Sequence, residues 1–154
     1  MAVFYLDTSA LVKRYASEKG SNWVITLTDP PAGHDIFINR LAGPEMIAAI
    51  FRKMRMGELS GPEASQLAQT FRSDWQIRYQ ILGVTSAIAE QAMHLAESHG
   101  LRGYDAVHLA TALALQQIRQ SAGWSPLTFV SADNDQLLAA QAEALPTENP
   151  NSYS

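Results

Sequence analysis

The chain has 154 residues, of which 47% are hydrophobic and 17% charged, which suits one globular domain with a single core and excludes a disordered chain. With no cysteine there are no disulfides, thiolate zinc sites or cysteine nucleophiles, and the longest apolar runs are too short to span a bilayer. A net charge of −4 excludes nucleic-acid binding by bulk charge alone, so any phosphate-directed function must rest on a local site. In chain order, Val3 to Leu6 reads as a buried strand, and Asp7-Thr8-Ser9 then caps a helix over Ala10 to Tyr15. The opening Met1 to Asp7 has no basic region and reaches an acid early, unlike a secretory signal. A helix around Trp23 to Thr28 precedes the Asp29-Pro30-Pro31-Ala32-Gly33 loop, and Ile36 to Ile38 is a second strand. Pro44 is read as the first position of a helix running Glu45 to Met56, with Met46, Ile47, Ile50, Phe51 and Met54 on one face. Ser60 and Glu63 form a capping box for a helix to about Trp75. Ile81 to Val84 is a third strand, Thr85 caps a helix from Ala87 to His99, and Tyr104 to Gln120 is a strong helix. Leu127 to Val130 is the fourth strand, Asp133 to Ala144 the last helix, and residues 147–154 a polar tail.

Short apolar strands separated by helices predict one α/β domain over residues 1–146, a parallel sheet covered on both faces. In such a sheet, ligands bind beyond the carboxyl ends of the strands. Asp7 and Asp133 follow strands, whereas Glu45 and Asp105 fall in the first turns of helices that start on the same edge. Two carboxylates about 4 Å apart repel by roughly 1 kcal/mol in water and about 4 kcal/mol at an effective dielectric near 20. Such a cluster calls for a proton or a cation, and Mg²⁺ or Mn²⁺ takes oxygen ligands without any Cys or His. Each acid also has a plain structural reading as a turn, cap or helix-dipole residue. The joint pattern, strongest at Asp7 and Asp133, is what favours a site.

Three segments resemble a known family: Leu6-Asp7-Thr8-Ser9-Ala10-Leu11-Val12-Lys13, then Tyr104-Asp105-Ala106-Val107-His108-Leu109-Ala110-Thr111-Ala112, and Phe129-Val130-Ser131-Ala132-Asp133 followed by Leu137-Leu138-Ala139-Ala140. They are similar to the acidic motifs of PIN domains, and the likeness covers nearly the whole chain. It implies a three-layer PIN-like fold with a short parallel sheet of four to five strands flanked by helices. It also implies an Mg²⁺- or Mn²⁺-dependent ribonuclease like the VapC toxins of toxin–antitoxin pairs, cytoplasmic, commonly homodimeric and paired with a small antitoxin. By that resemblance Asp7, Glu45, Asp105 and Asp133 form the catalytic metal site, with Ser9 and Ser131 in support and Asp135 as a rival to Asp133.

Arg14 and Arg102, each near an acidic motif, are candidates for RNA phosphate contacts. His108 has the spacing of a metal ligand to Asp105, but its Ala-rich surroundings favour a packed, hydrogen-bonded histidine. Arg52-Lys53-Met54-Arg55 reads as an exposed helix face, and the three tryptophans as packing residues. The alternatives are a non-toxin housekeeping PIN-like nuclease and a non-catalytic binding or signalling module. A phospho-receiver is disfavoured: Asp7 is followed by Thr8 rather than an acid, and no Lys follows Lys53.

Overall fold

Val3–Leu6 forms β1, at the centre of the sheet, because apolar side chains point to both faces and both must be covered. Val3 and Tyr5 enter one core and Leu6 the other, as the two-residue period of a strand requires. The computed structural model describes residues 2–153. The other strands are β2 (Asp35–Asn39), β3 (Gln80–Leu82), β4 (Thr128–Val130) and β5 (Thr147–Glu148). Their order is β3-β2-β1-β4-β5, and every pairing is parallel. Strand addition reverses direction between β1 and β4, so the crevice at their carboxyl ends is the topological switch point.

Helices cover both faces of this α/β sheet. The first core gathers Leu11, Ile38, Met46, Ile50 and Phe71 beneath α1 (Thr8–Leu11), α3 (Ala42–Arg55) and α4 (Gly61–Ile77). α2 (Ser21–Thr28) adds Val24 and Leu27 to it. The second core joins Tyr5, Leu95, Leu109, Phe129 and Ala140 beneath α5 (Ser86–His99), α6 (Gly103–Ser121) and α7 (Asn134–Ala142). Tyr5 and Phe129, cross-strand partners, stack with ring centroids 5.7 Å apart. Burying such side chains contributes about 1.5–3 kcal/mol each.

Three elements differ from the sequence reading. The first helix is four residues long and gives way to a 3-10 turn at Val12–Arg14. α3 begins at Ala42, so Pro44 is its third residue, and the Leu41 N–H ahead of it is taken by Asn39 Oδ1 at 2.7 Å. Pro44 still lies where an N–H has no intrahelical partner. Within the stretch read as a polar tail, β5 extends the sheet edge, with Ser131 N–H donating to Glu148 O at 3.2 Å. Tyr153 then stacks on Trp23, with centroids 4.6 Å apart and planes 3° from parallel.

Gly20 makes this return possible. It holds φ +83 ahead of α2, and a Cβ there would run into the Pro150 carbonyl. Gly20→Ala is therefore expected to destabilise the fold by about 1–3 kcal/mol, seen as a lower urea midpoint with an unchanged slope.

Candidate active site

The switch point between β1 and β4 holds Asp7. Its backbone N–H continues the sheet by donating to Val130 O at 3.1 Å, and its side chain caps α1. The carboxylate is buried. Oδ1 accepts from Ser9 Oγ at 2.6 Å and Ala10 N–H at 3.1 Å, and Oδ2 accepts from Ser131 Oγ at 2.6 Å. Ser9 also accepts from Ala132 N–H at 2.9 Å, which binds the two strand ends together. Burial pushes the Asp7 carboxyl above its ordinary value of 3.8, opposed in part by His108 and by the bonds from Ser131, Ser9 and Ala10.

Glu45 stands in the first turn of α3. Its Oε1 accepts from Thr8 Oγ1 at 2.9 Å and lies 2.7 Å from His108 Nε2. His108 is 1% exposed, and its Nδ1 lies 2.8 Å from the Tyr5 hydroxyl. It is packed and hydrogen-bonded. Asp105 enters from the first turn of α6, fixed by Gln136 Nε2 donating to its backbone carbonyl at 2.8 Å. Asp133 caps α7, its Oδ1 accepting from Asp135 and Gln136 N–H at 2.9 and 3.3 Å. Arg102 reaches between these two acids, 3.3 Å from Asp105 Oδ2 and 3.6 Å from Asp133 Oδ2, while remaining 83% exposed. Burial raises the Asp105 carboxyl above its ordinary value, Arg102 opposes the rise and Asp133 adds to it.

Glu45, Asp105 and Asp133 thus line one cleft of about 660 Å³, with Ser9 in its wall and Asp7 behind. Among the described residues, no three acidic or histidine side chains close tightly enough to enclose a bare ion. The donors nevertheless suit a hydrated hard cation, because Mg²⁺ keeps several waters and needs only one or two carboxylates. Glu45 Oε2 and Asp105 Oδ1 have no hydrogen-bond partner among the described residues and are the oxygens open to such a cation. Asp135 is exposed in the first turn of α7 and does not line the cleft.

The cleft has a basic rim. Arg52 and Arg55 on α3 line it, exposed and in no ion pair among the described residues, whereas Lys53 is held by Glu18 at 2.7 Å. The exposed ring of Tyr104 lines it as well. Sequence reading took the arginines for an ordinary solvated face, and a helix pattern carries no signal of what an exposed face overlooks. Arg14 is placed differently from the reading that offered it to phosphate. Its side chain is 13% exposed, pairs with Asp29 at 2.7 Å and Asp74 at 3.5 Å, and lies outside the cleft. No tryptophan lines the cleft either. Trp75 borders a separate, mostly apolar groove of about 680 Å³ between α3 and α4, with Gly43, Pro44, Ile47 and Phe71. That groove is lined by no acid, unlike the cleft.

The family model of the PIN domain matches residues 4–142. Ribonuclease VapC45 of Mycobacterium tuberculosis is 37% identical over 116 residues, covering 75% of this chain and 78% of that protein. Two solved structures share the fold. FitAcB from Neisseria gonorrhoeae has a TM-score of 0.63 at 16% identity, covering 96% of this chain and 97% of that one. A toxin–antitoxin complex from Klebsiella pneumoniae has a TM-score of 0.61 at 16% identity, covering 96% and 97%.

The buried Asp7 has a measurable effect on stability. Its carboxyl holds its proton more tightly in the fold than in the unfolded chain, so without metal its contribution falls as pH rises from 3.8 through the raised value. Asp7→Asn is expected to flatten this part of the pH dependence and not to lower the melting temperature at pH 7, measured by thermal melts in EDTA from pH 4 to pH 7.

Proposed function

The chain belongs to the PIN-domain family, and from that premise we propose that it is a metal-dependent endoribonuclease, the toxin of a VapC-like toxin–antitoxin pair. The carrying observation is a cleft lined by Glu45, Asp105 and Asp133, backed by Asp7 and rimmed by the unpaired Arg52 and Arg55. The likeness to a protein called Ribonuclease VapC45 supports RNA as the substrate. The toxin–antitoxin complex of similar fold supports an antitoxin partner. The proposal includes a homodimer acting in the cytoplasm. No helix of the described residues is long and apolar enough to cross a membrane.

In this reading Asp7, Glu45, Asp105 and Asp133 hold Mg²⁺ or Mn²⁺. When bound, the cation supplies neutralising charge for the scissile phosphate and makes water more acidic. Asp7 works from a rigid seat, since Ser9, Ser131 and Ala10 fix its oxygens. Ser9 and Ser131 are supporting residues. Arg52 and Arg55 draw the RNA backbone to a protein that is acidic overall, and Tyr104 offers a face on which a base can stack. Arg102 partners the Asp105 and Asp133 carboxylates before substrate arrives and is placed to meet a phosphate afterwards. The same Arg102 pairing also favours a second reading, a non-catalytic module whose acids are neutralised internally, and metal titration separates the two.

RNA cleavage is expected with Mg²⁺ or Mn²⁺ and not with EDTA. Asp105→Asn should lower it by at least about 100-fold, the upper end of losses from residues that merely orient a metal ligand. Cleavage that survives both Asp7→Asn and Asp105→Asn would exclude the proposal. Replacing Arg52 and Arg55 together with Ala should raise KM at nearly constant kcat. It should also make the plot of log affinity against log salt shallower by about 1.4, roughly 0.7 for each lost single-strand phosphate contact.

A further inference from the structure

We propose that His108 is a positioning residue that sets the Glu45 carboxylate at a fixed distance from Asp105, an inference that rests on the metal-site reading above. Glu45 and Asp105 come from different helices, α3 and α6, and a glutamate has three rotatable side-chain bonds. His108 lies three residues after Asp105 on α6, so the two side chains share a face one above the other. Its Nε2 is 2.7 Å from Glu45 Oε1, which ties the acid of one helix to the helix that carries the other.

The chemistry of the partners assigns the hydrogens. A carboxylate only accepts, so the hydrogen between His108 and Glu45 belongs to Nε2. On the other side of the ring, Nδ1 lies 2.8 Å from the Tyr5 hydroxyl. Tyr5 is fixed in turn on β1, buried and stacked on Phe129. The line of support runs from the central strand through the Tyr5 hydroxyl and the imidazole to Glu45. Thr8 Oγ1 donates to the same Glu45 oxygen at 2.9 Å. Both donors converge on Oε1, which leaves Oε2 directed to other uses, and the carboxylate cannot rotate without breaking two bonds. This is how residues behind a metal site orient its ligands. A histidine buried only to fill the core would need no outlet toward the cleft.

The test uses the full chain. In wild-type protein labelled with ¹⁵N in histidine, the metal-free spectrum should show His108 with hydrogen on Nε2, and Glu45→Gln should shift that nitrogen. His108→Phe, which keeps a ring but loses both bonds, should weaken Mn²⁺ binding by about tenfold to a hundredfold in calorimetry. It should lower kcat with little change in KM for RNA. His108→Gln, which restores a donor toward Glu45, should recover most of the Mn²⁺ affinity. Tyr5→Phe, which removes only the outer anchor, should give a smaller loss in the same direction and carries the test if His108→Phe does not fold. Hydrogen on Nδ1 in place of Nε2, or folded His108→Phe with wild-type Mn²⁺ affinity, overturns the proposal. Wild-type protein that binds no Mn²⁺ overturns the metal reading instead, and the histidine spectra with and without Glu45→Gln then decide the positioning on their own.

Discussion

The Asp7 carboxylate is out of water at the carboxyl end of β1, and an ionised group there is stable only if hydrogen bonds replace its hydration. Two of those bonds come from Ser9 and Ser131, and Ser131 directly follows a strand far along the chain. The acid can therefore be present in this form only if β1 and β4 lie side by side and end together. The sheet order, the register of Tyr5 on Phe129 and the close of β5 over Ser131 all serve that condition. Once Asp7 is fixed, the first turns of α3 and α6 and the cap of α7 bring the other three acids to the same edge.

Charge is divided by location rather than by total. The net −4 of the chain says little about the cleft, where carboxylates line the interior and Arg52, Arg55 and Arg102 stand at its margin. Positive charge at the margin acts on a polyanion at a distance, whereas negative charge inside acts on a cation at contact. In the proposed function, this arrangement lets an acidic protein receive RNA without a basic surface. The price is mutual repulsion among the acids, and Arg102 between Asp105 and Asp133 is one visible answer to it.

The parallel α/β sheet and the edge on which the acids gather were legible because strand ends fix position. An apolar run such as Val3 to Leu6 followed by Asp7 states both the element and the place where it stops. Glu45 and Asp105 were legible as first-turn residues for the same reason. β5 was not, because Thr147 and Glu148 join the sheet through backbone bonds that leave no apolar pattern. Arg14 misled because nearness in sequence to Asp7 was taken for nearness in space, while the turn at Val12–Arg14 aims it at Asp29 and Asp74. The bond from His108 to Glu45 joins residues 63 apart in sequence, and no local spacing reports such a pair.

The Ser131 hydroxyl that holds Asp7 lies 124 residues further along the chain. During synthesis from the N-terminus, β1 and its acid emerge early but have no β4 to close against until Ser131 has been made. A proposed ribonuclease is assembled beside the messenger that encodes it, and a competent site on a half-made chain would endanger that messenger. The order of the strands therefore sets when the seat of Asp7 can close: only after β4 has been made, by a long-range pairing of a kind that costs more chain entropy than a local one.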